Sequence, residues 1–221
     1  MREDKDIVYD DAATPESIEA RSFEIIDAEL PEPRLYSGPL WEVARRCVHA
    51  LGDTAITNDL RLSPEALESG LAAMRSKCRF YTDTRMLAAG LVARRMDPLG
   101  IEVKPLMELK GLEEEARSLG VTRAALGIRR IAPLLTGQII AIGNAPTALL
   151  TLLDELEKNP GVRPALIVGM PVGFVNAAQS KEALLRRNYP AFALLGRKGG
   201  SAAAAAALNA LADIILRERG A

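Results

Sequence analysis

The sequence predicts an α/β protein: a three-layer α/β/α sandwich on a flavodoxin-like, five-stranded, mainly parallel sheet. Five short apolar runs stand out: RFYTD (79–83), IEVKPL (101–106), QIIAIG (138–143), ALIVGM (165–170) and AFALLG (191–196). Each is followed by turn chemistry and then helical periodicity, an alternation that requires crossover connections and parallel pairing. The last three runs carry the aliphatic density of strands buried on both faces. Counted over these runs, the expected strand order is 2-1-3-4-5.

Before the strands, residues 1–15 read as a polar, loosely held lead-in. PESIEARSFEIIDAEL (15–30) is a helix: Pro15 follows the capping candidate Thr14, and Ile18, Phe23, Ile25 and Ile26 supply apolar surface. PEPR breaks it. A second helix runs from Gly38 to Leu51, with Leu40, Val43, Ala44, Cys47 and Leu51 on one apolar stripe. His49 points roughly opposite that stripe, among Glu42, Arg45, Arg46 and Asp53. It faces either bulk water or a polar cavity roofed by another element. LSPEALESGLAAMRS (62–76) is a third helix with a Ser63–Pro64 start, and DPLGI closes the helical stretch after the first strand. With no long linker, repeat or composition step, residues 1–221 read as one domain.

Composition narrows the function classes. The 221 residues are 48% hydrophobic, enough for one sizeable core, and carry a net charge of −1. That balance gives no basic field for nucleic acid or an anionic membrane, and 4% aromatic residues leave few stacking platforms. Two separated cysteines and one histidine show no metal-ligand spacing, so no protein-bound metal is expected. Cys47 and Cys78 read as reduced thiols. MREDKDIVYDD lacks the apolar core of a signal peptide, and Asp213 interrupts the Ala-rich segment that starts at Ala202. A soluble, cytoplasmic protein is expected.

In an open parallel sheet, ligands bind beyond the carboxyl ends of the strands. RFYTDTRM puts Asp83 there, placed to cap the next helix. In IIAIGNAPTALL, Asn144 is a capping candidate and Pro146 suits the first helical turn, so free amides face outward. ALIVGMPVGFV brings Gly169 and Gly173. In ALLGRKGGSAAAAAALNAL, Gly199 and Gly200 permit an amide nest, Arg197 and Lys198 add charge, and Ser201 can cap. GxxxxGK[ST] and GxGxxG are absent. The rim suits a multiply charged anion, with His49 the only imidazole available for acid–base chemistry.

IEARSFEII, RRCVHALGDTA, FYTDTRMLAAG, AIGNAPTALL, GMPVGFVNAAQSKEAL and LGRKGGSAAAAAALNAL resemble, in order, the signature blocks of the precorrin-8X methylmutase family. The resemblance spans residues 18–212. It implies a cobalamin-pathway isomerase that moves a methyl group from carbon 11 to carbon 12 of the macrocycle without a redox cofactor. The product is cobyrinic acid from cobalt-precorrin-8, or hydrogenobyrinic acid from metal-free precorrin-8X. The resemblance gives His49 the acid–base role. It places Arg21, Ser22 and Arg123 on substrate carboxylates, with Asp83, Asn144, Lys198, Gly199, Gly200 and Ser201 lining the pocket. It also implies a homodimer and no cofactor, any cobalt arriving inside the substrate. Enzymes of the aerobic branch tend to carry tyrosine where this chain has Glu19, and Ala124 replaces a frequent serine. Glu19, YTDT and LGRKGGS look more like the cobalt-handling branch. Two other classes compete: a catalytically silent tetrapyrrole carrier, and a flavodoxin-like enzyme or binding module for a phosphorylated small molecule.

Overall fold

The computed structural model of the protein describes residues 14–220. The expected lead-in therefore lies, up to residue 13, outside the described residues. In chain order the helices are α1 (Pro15–Glu29), α2 (Gly38–Leu51), α3 (Pro64–Arg75), α4 (Arg85–Gly90), α5 (Ala93–Met96), α6 (Leu112–Ser118), α7 (Arg123–Ile131), α8 (Pro146–Lys158), α9 (Ala177–Leu185) and α10 (Ser201–Glu218). The strands are β1 (Leu60–Arg61), β2 (Arg79–Thr82), β3 (Glu102–Pro105), β4 (Ile139–Ile142), β5 (Leu166–Gly169) and β6 (Ala191–Leu194). Helix starts follow their side chains: Thr14 accepts from the Ser17 amide at 3.2 Å and Ser63 from the Ala66 amide at 3.1 Å.

The sheet runs β1-β6-β5-β4-β2-β3. Strands β2 to β6 pair in parallel, whereas β1 lies antiparallel against β6, Leu60 opposite Leu194. The five-stranded expectation is thus corrected to a six-stranded mixed sheet. Two residues are too short to show alternation, and β1 is fixed by tertiary contacts. The buried Tyr36 hydroxyl donates to the Leu60 carbonyl at 2.7 Å and accepts from the Leu62 amide at 3.3 Å. So short a strand also covers the exposed edge of β6.

Each face of the sheet has its own core. Ile139, Ala141, Leu166, Val168 and Phe192 face α2, α3 and α10. Ile140, Ile142 and Ile167 point the other way, toward α7, α8 and the Leu184 end of α9. The two-residue period of β4 and β5 produces this division, since alternate side chains leave opposite faces. The alanines of α10 allow near approach of its neighbours. A Cβ added at Gly90 would lie 2.9 Å from the Ala205 Cβ, and the Cys47 thiol reaches the Ala203 carbonyl at 3.7 Å.

Both cysteines are free and buried, and burial pushes each thiol up to about 12. Because the thiolate is the reactive form, neither should react with a water-soluble thiol reagent in the folded protein. Labelling followed by mass spectrometry should find no modification natively and two after denaturation.

Candidate active site

Asp83 follows β2 directly, and its carboxylate crosses to the loop after β4. One oxygen accepts from the Gly143 amide at 3.1 Å; the other accepts from Asn144 at 2.7 Å and Ala145 at 2.9 Å. Strands β2 and β4 flank the point where the winding direction reverses, the usual opening for a ligand in such sheets. Here that opening is closed by Asp83. The prediction that Asp83 caps the following helix is corrected. Thr84 caps α4, accepting from the Leu87 amide at 3.1 Å, while Asp83 serves the amides before α8. Burial raises the Asp83 carboxyl above its usual range, against the opposing pull of the three amides.

Asn144 is exposed and caps nothing; Ala145 holds that position without a side-chain bond. Ser201 likewise does not cap. It is the first residue of α10, buried, with its hydroxyl 3.1 Å from that of Thr84. A Cβ on Gly143 would come within 2.7 Å of the Ser201 Cα. The tops of β2, β4 and α10 are therefore one packed unit.

The Arg197–Gly200 turn sits beside this unit. The Gly200 amide donates to the Met170 carbonyl at 2.9 Å, and the Gly173 amide to the Arg197 carbonyl at 3.1 Å. Gly199 has φ +153°, and an added Cβ would fall 2.3 Å from the Met170 carbonyl oxygen. Only glycine fits, because the obstacle is backbone. The Lys198 side chain reaches Asp53, just past the end of α2, at 2.5 Å. That partner holds the Lys198 ammonium above its usual range and the Asp53 carboxyl below its own.

His49 is exposed, in the last turn of α2. It lines an open cleft of about 370 Å³ with Ser22, Ile25, Ile26, Val48 and Asp53. Of the two surroundings open to it from sequence, the chain itself supplies a partly walled cleft. Phe23 meets the imidazole edge to face, with centroids 5.6 Å apart and planes at 74°. Behind Phe23, four charges lock α1 onto the body. Glu19 takes a two-pronged bond from Arg46, at 2.7 and 3.1 Å. Arg46 also meets Asp213 at 2.8 Å, and Arg95 meets Asp213 at 2.5 Å. The Arg46 hydrogen bond and charge, with the nearby charge of Arg95, hold the Glu19 carboxyl below its usual range despite partial burial.

The predicted site residues do not all converge. Ser22 joins His49 in the cleft, although its hydroxyl donates to the Ile18 carbonyl at 2.8 Å. Lys198 arrives through Asp53. Arg21 is exposed and paired with Glu24 at 2.9 Å, outside the lining of the His49 cleft. Arg123 lies at the start of α7 in a different cavity, of about 540 Å³, with Arg85, Met107 and Glu113. Sequence reasoning named Asp53 and Phe23 but gave them no part in the site, and passed over Lys181. The Lys181 signal was legible: Ala177, Lys181 and Leu184 share the buried face of α9, so helical spacing drives that ammonium inward.

The fold and site define an α/β protein whose one histidine is exposed in an open cleft. The precorrin-8X methylmutase family model matches residues 17–214. A cobalt-precorrin-8 methylmutase from Priestia megaterium is 38% identical, the alignment covering 89% of this chain and 87% of that protein. A precorrin-8X methylmutase from a Sinorhizobium species is 40% identical, over 92% and 97%. The crystal structure of the precorrin-8X methylmutase from Thermus thermophilus superposes with a TM-score of 0.84, at 39% identity and 92% and 97% coverage. The chain belongs to the precorrin-8X methylmutase family, and it is a methyl-shifting isomerase of cobalamin biosynthesis.

Asp83→Ala should leave three main-chain amides without their acceptor and lower the unfolding free energy by about 2–4 kcal/mol. Because the folded-state carboxyl is raised, Asp83 favours folding most at low pH, and that contribution declines as pH rises through the raised value. Denaturant melts of wild type and Asp83→Asn across pH 4–7 check the sign: the wild type should lose ground to the variant as pH increases. Gly199→Ala should cost more than about 1 kcal/mol in the same assay.

Proposed function

We propose that this chain converts cobalt-precorrin-8 to cobyrinic acid, shifting the methyl group from carbon 11 to carbon 12, with His49 as the acid–base group. One observation carries the reading: the only histidine of the chain is exposed in a cleft bounded by Ser22 and by Asp53, the partner of Lys198. Methyl migration leaves the atom count unchanged. Its electronic demand is eased when a ring nitrogen or conjugated position beside the migrating centre is protonated. His49 donates that proton and recovers it as the product forms. Holding the macrocycle in one conformation supplies the remaining acceleration.

The carboxylates on the macrocycle rim are met by Lys198, by the turn at Gly199 and Gly200, and by Ser22. Arg21 and Arg123 are assigned to more distant carboxylates. Asp83 and Ser201 act by holding the loops, and Asn144 presents an exposed amide to the substrate edge. Glu19 favours the cobalt-containing substrate: its bonds to Arg46 occupy the position where the aerobic branch tends to have tyrosine. No separate cofactor is required, because cobalt enters as part of the substrate. Among the described residues, no group of three or more His, Cys, Asp or Glu side chains is arranged to hold a metal ion.

The enzyme works as a cytoplasmic homodimer in this reading. His49 and Ala50 at the end of α2 are exposed, as are the apolar Ile18 and Ile25 of α1. A second copy laid there would roof the cleft and exclude water from the reaction.

Anaerobic incubation with cobalt-precorrin-8, followed by absorbance, tests the reading. Wild type should change the chromophore to that of cobyrinic acid. His49→Ala should bind the substrate yet convert it about 10²- to 10⁴-fold more slowly. Equal rates would remove His49 from the chemistry. Conversion of metal-free precorrin-8X alone would move the chain to the aerobic substrate, and binding without conversion of either would make it a carrier.

A further inference from the structure

We infer that Lys181 is a positioning residue for the substrate's carboxylates: its ammonium holds the Lys198 carbonyl and thereby sets the Lys198–Gly200 turn. The inference rests on the proposed function, since it assigns that turn to corrinoid carboxylates.

Lys181 is fully buried, whereas the next most buried cation among the described residues, Arg95, retains 8% exposure. Arg95 sits in an ion-pair network, but the hydrogen bond of Lys181 goes to main chain, from Nζ to the Lys198 carbonyl oxygen at 2.7 Å. Burial pulls this ammonium down to about 8, and the more distant carboxylate of Asp59, before β1, only partly opposes that. A buried charge so thinly compensated opposes folding, and an apolar side chain of similar length would fill the space at less cost. The ammonium therefore has a task that packing does not explain.

Its position shows the task. The turn is held to the Met170–Gly173 loop at both ends, Arg197 to Gly173 and Gly200 to Met170. Between those anchors, Gly199 is pressed against the Met170 carbonyl. Lys198 itself is fixed at two points: its side chain by Asp53, beside His49, and its carbonyl by Lys181, from α9. Turning that carbonyl inward leaves the adjoining surface of the turn with fewer acceptor oxygens, which suits the approach of an anion. Loss of the ammonium would free the carbonyl to rotate outward, where it would repel a carboxylate.

The test compares wild type with Lys181→Met and Lys181→Arg by two readouts. Steady-state turnover of cobalt-precorrin-8 should show KM at least tenfold higher in Lys181→Met, with kcat within threefold, and substantial recovery of KM in Lys181→Arg. Amide hydrogen exchange, which needs no substrate, should be at least tenfold faster at 197–200 in Lys181→Met and unchanged in β4 and β5. A folded Lys181→Met with unchanged KM and unchanged exchange overturns the inference, as does a loss of kcat alone. If Lys181→Met does not fold, the wild type decides. Protection at 198–200 equal to that of α9 supports the clamp, and exchange as fast as at the exposed Phe174 and Val175 overturns it. If the wild type does not turn over cobalt-precorrin-8 but exchange responds as stated, the proposed function fails while the clamp stands.

Discussion

The carboxylate of Asp83 is the joint on which the rim depends. Three amides from the loop after β4 converge on it, so the tops of β2 and β4 cannot separate without exposing an anion and three donors together. Buried polar groups left without partners are costly, which gives this joint its stiffness. Gly143, held by Asp83, lies directly against Ser201, and Ser201 meets the Thr84 hydroxyl. The start of α10 is thereby fixed to the tops of both β2 and β4. Through α10 the constraint reaches α2, packed on its alanine face, and so the helix that carries His49.

Closing the opening between β2 and β4 has a functional consequence. A ligand cannot sink into the sheet there, so the receptive surface spreads outward over the helix ends and loops. A flat, broad macrocycle with charges on its rim suits that arrangement better than a compact phosphate ester would. Polar residues held to loop backbones, such as Asp83, set geometry, while exposed ones such as His49 remain available for contact. Charge pairing follows the same division. The Glu19, Arg46, Arg95 and Asp213 network anchors α1 as a wall of the cleft, whereas the Lys198–Asp53 pair at the mouth is open enough to exchange partners with an incoming carboxylate.

Much of the architecture was legible because it is local. Thr14–Pro15 and Ser63–Pro64 announce helices by capping chemistry, and the apolar runs at 139–142 and 166–169 announce strands buried on both sides. The outward direction of His49 followed from helical spacing alone. What local pattern could not supply was partnership across the fold. Asp83 has the chemistry of a cap, but its amides come from sixty residues further on, so the neighbouring helix was the wrong assignment. β1 is two residues long and owes its pairing to Tyr36 and β6. Arg21 and Arg123 carry the chemistry for carboxylates, yet Arg21 turns to Glu24 and Arg123 belongs to another cavity. Family signatures identify the chain because they sample the whole rim at once, which no single motif does.

In the proposed reading the macrocycle lies over the His49 cleft and the Lys198–Gly200 turn. A crystal structure with cobyrinic acid bound tests it most directly. The corrin ring is expected within van der Waals distance of the His49 imidazole, with rim carboxylates at Lys198 and Ser22. A corrinoid seated in the Arg85–Arg123 cavity, with His49 facing solvent, would contradict it.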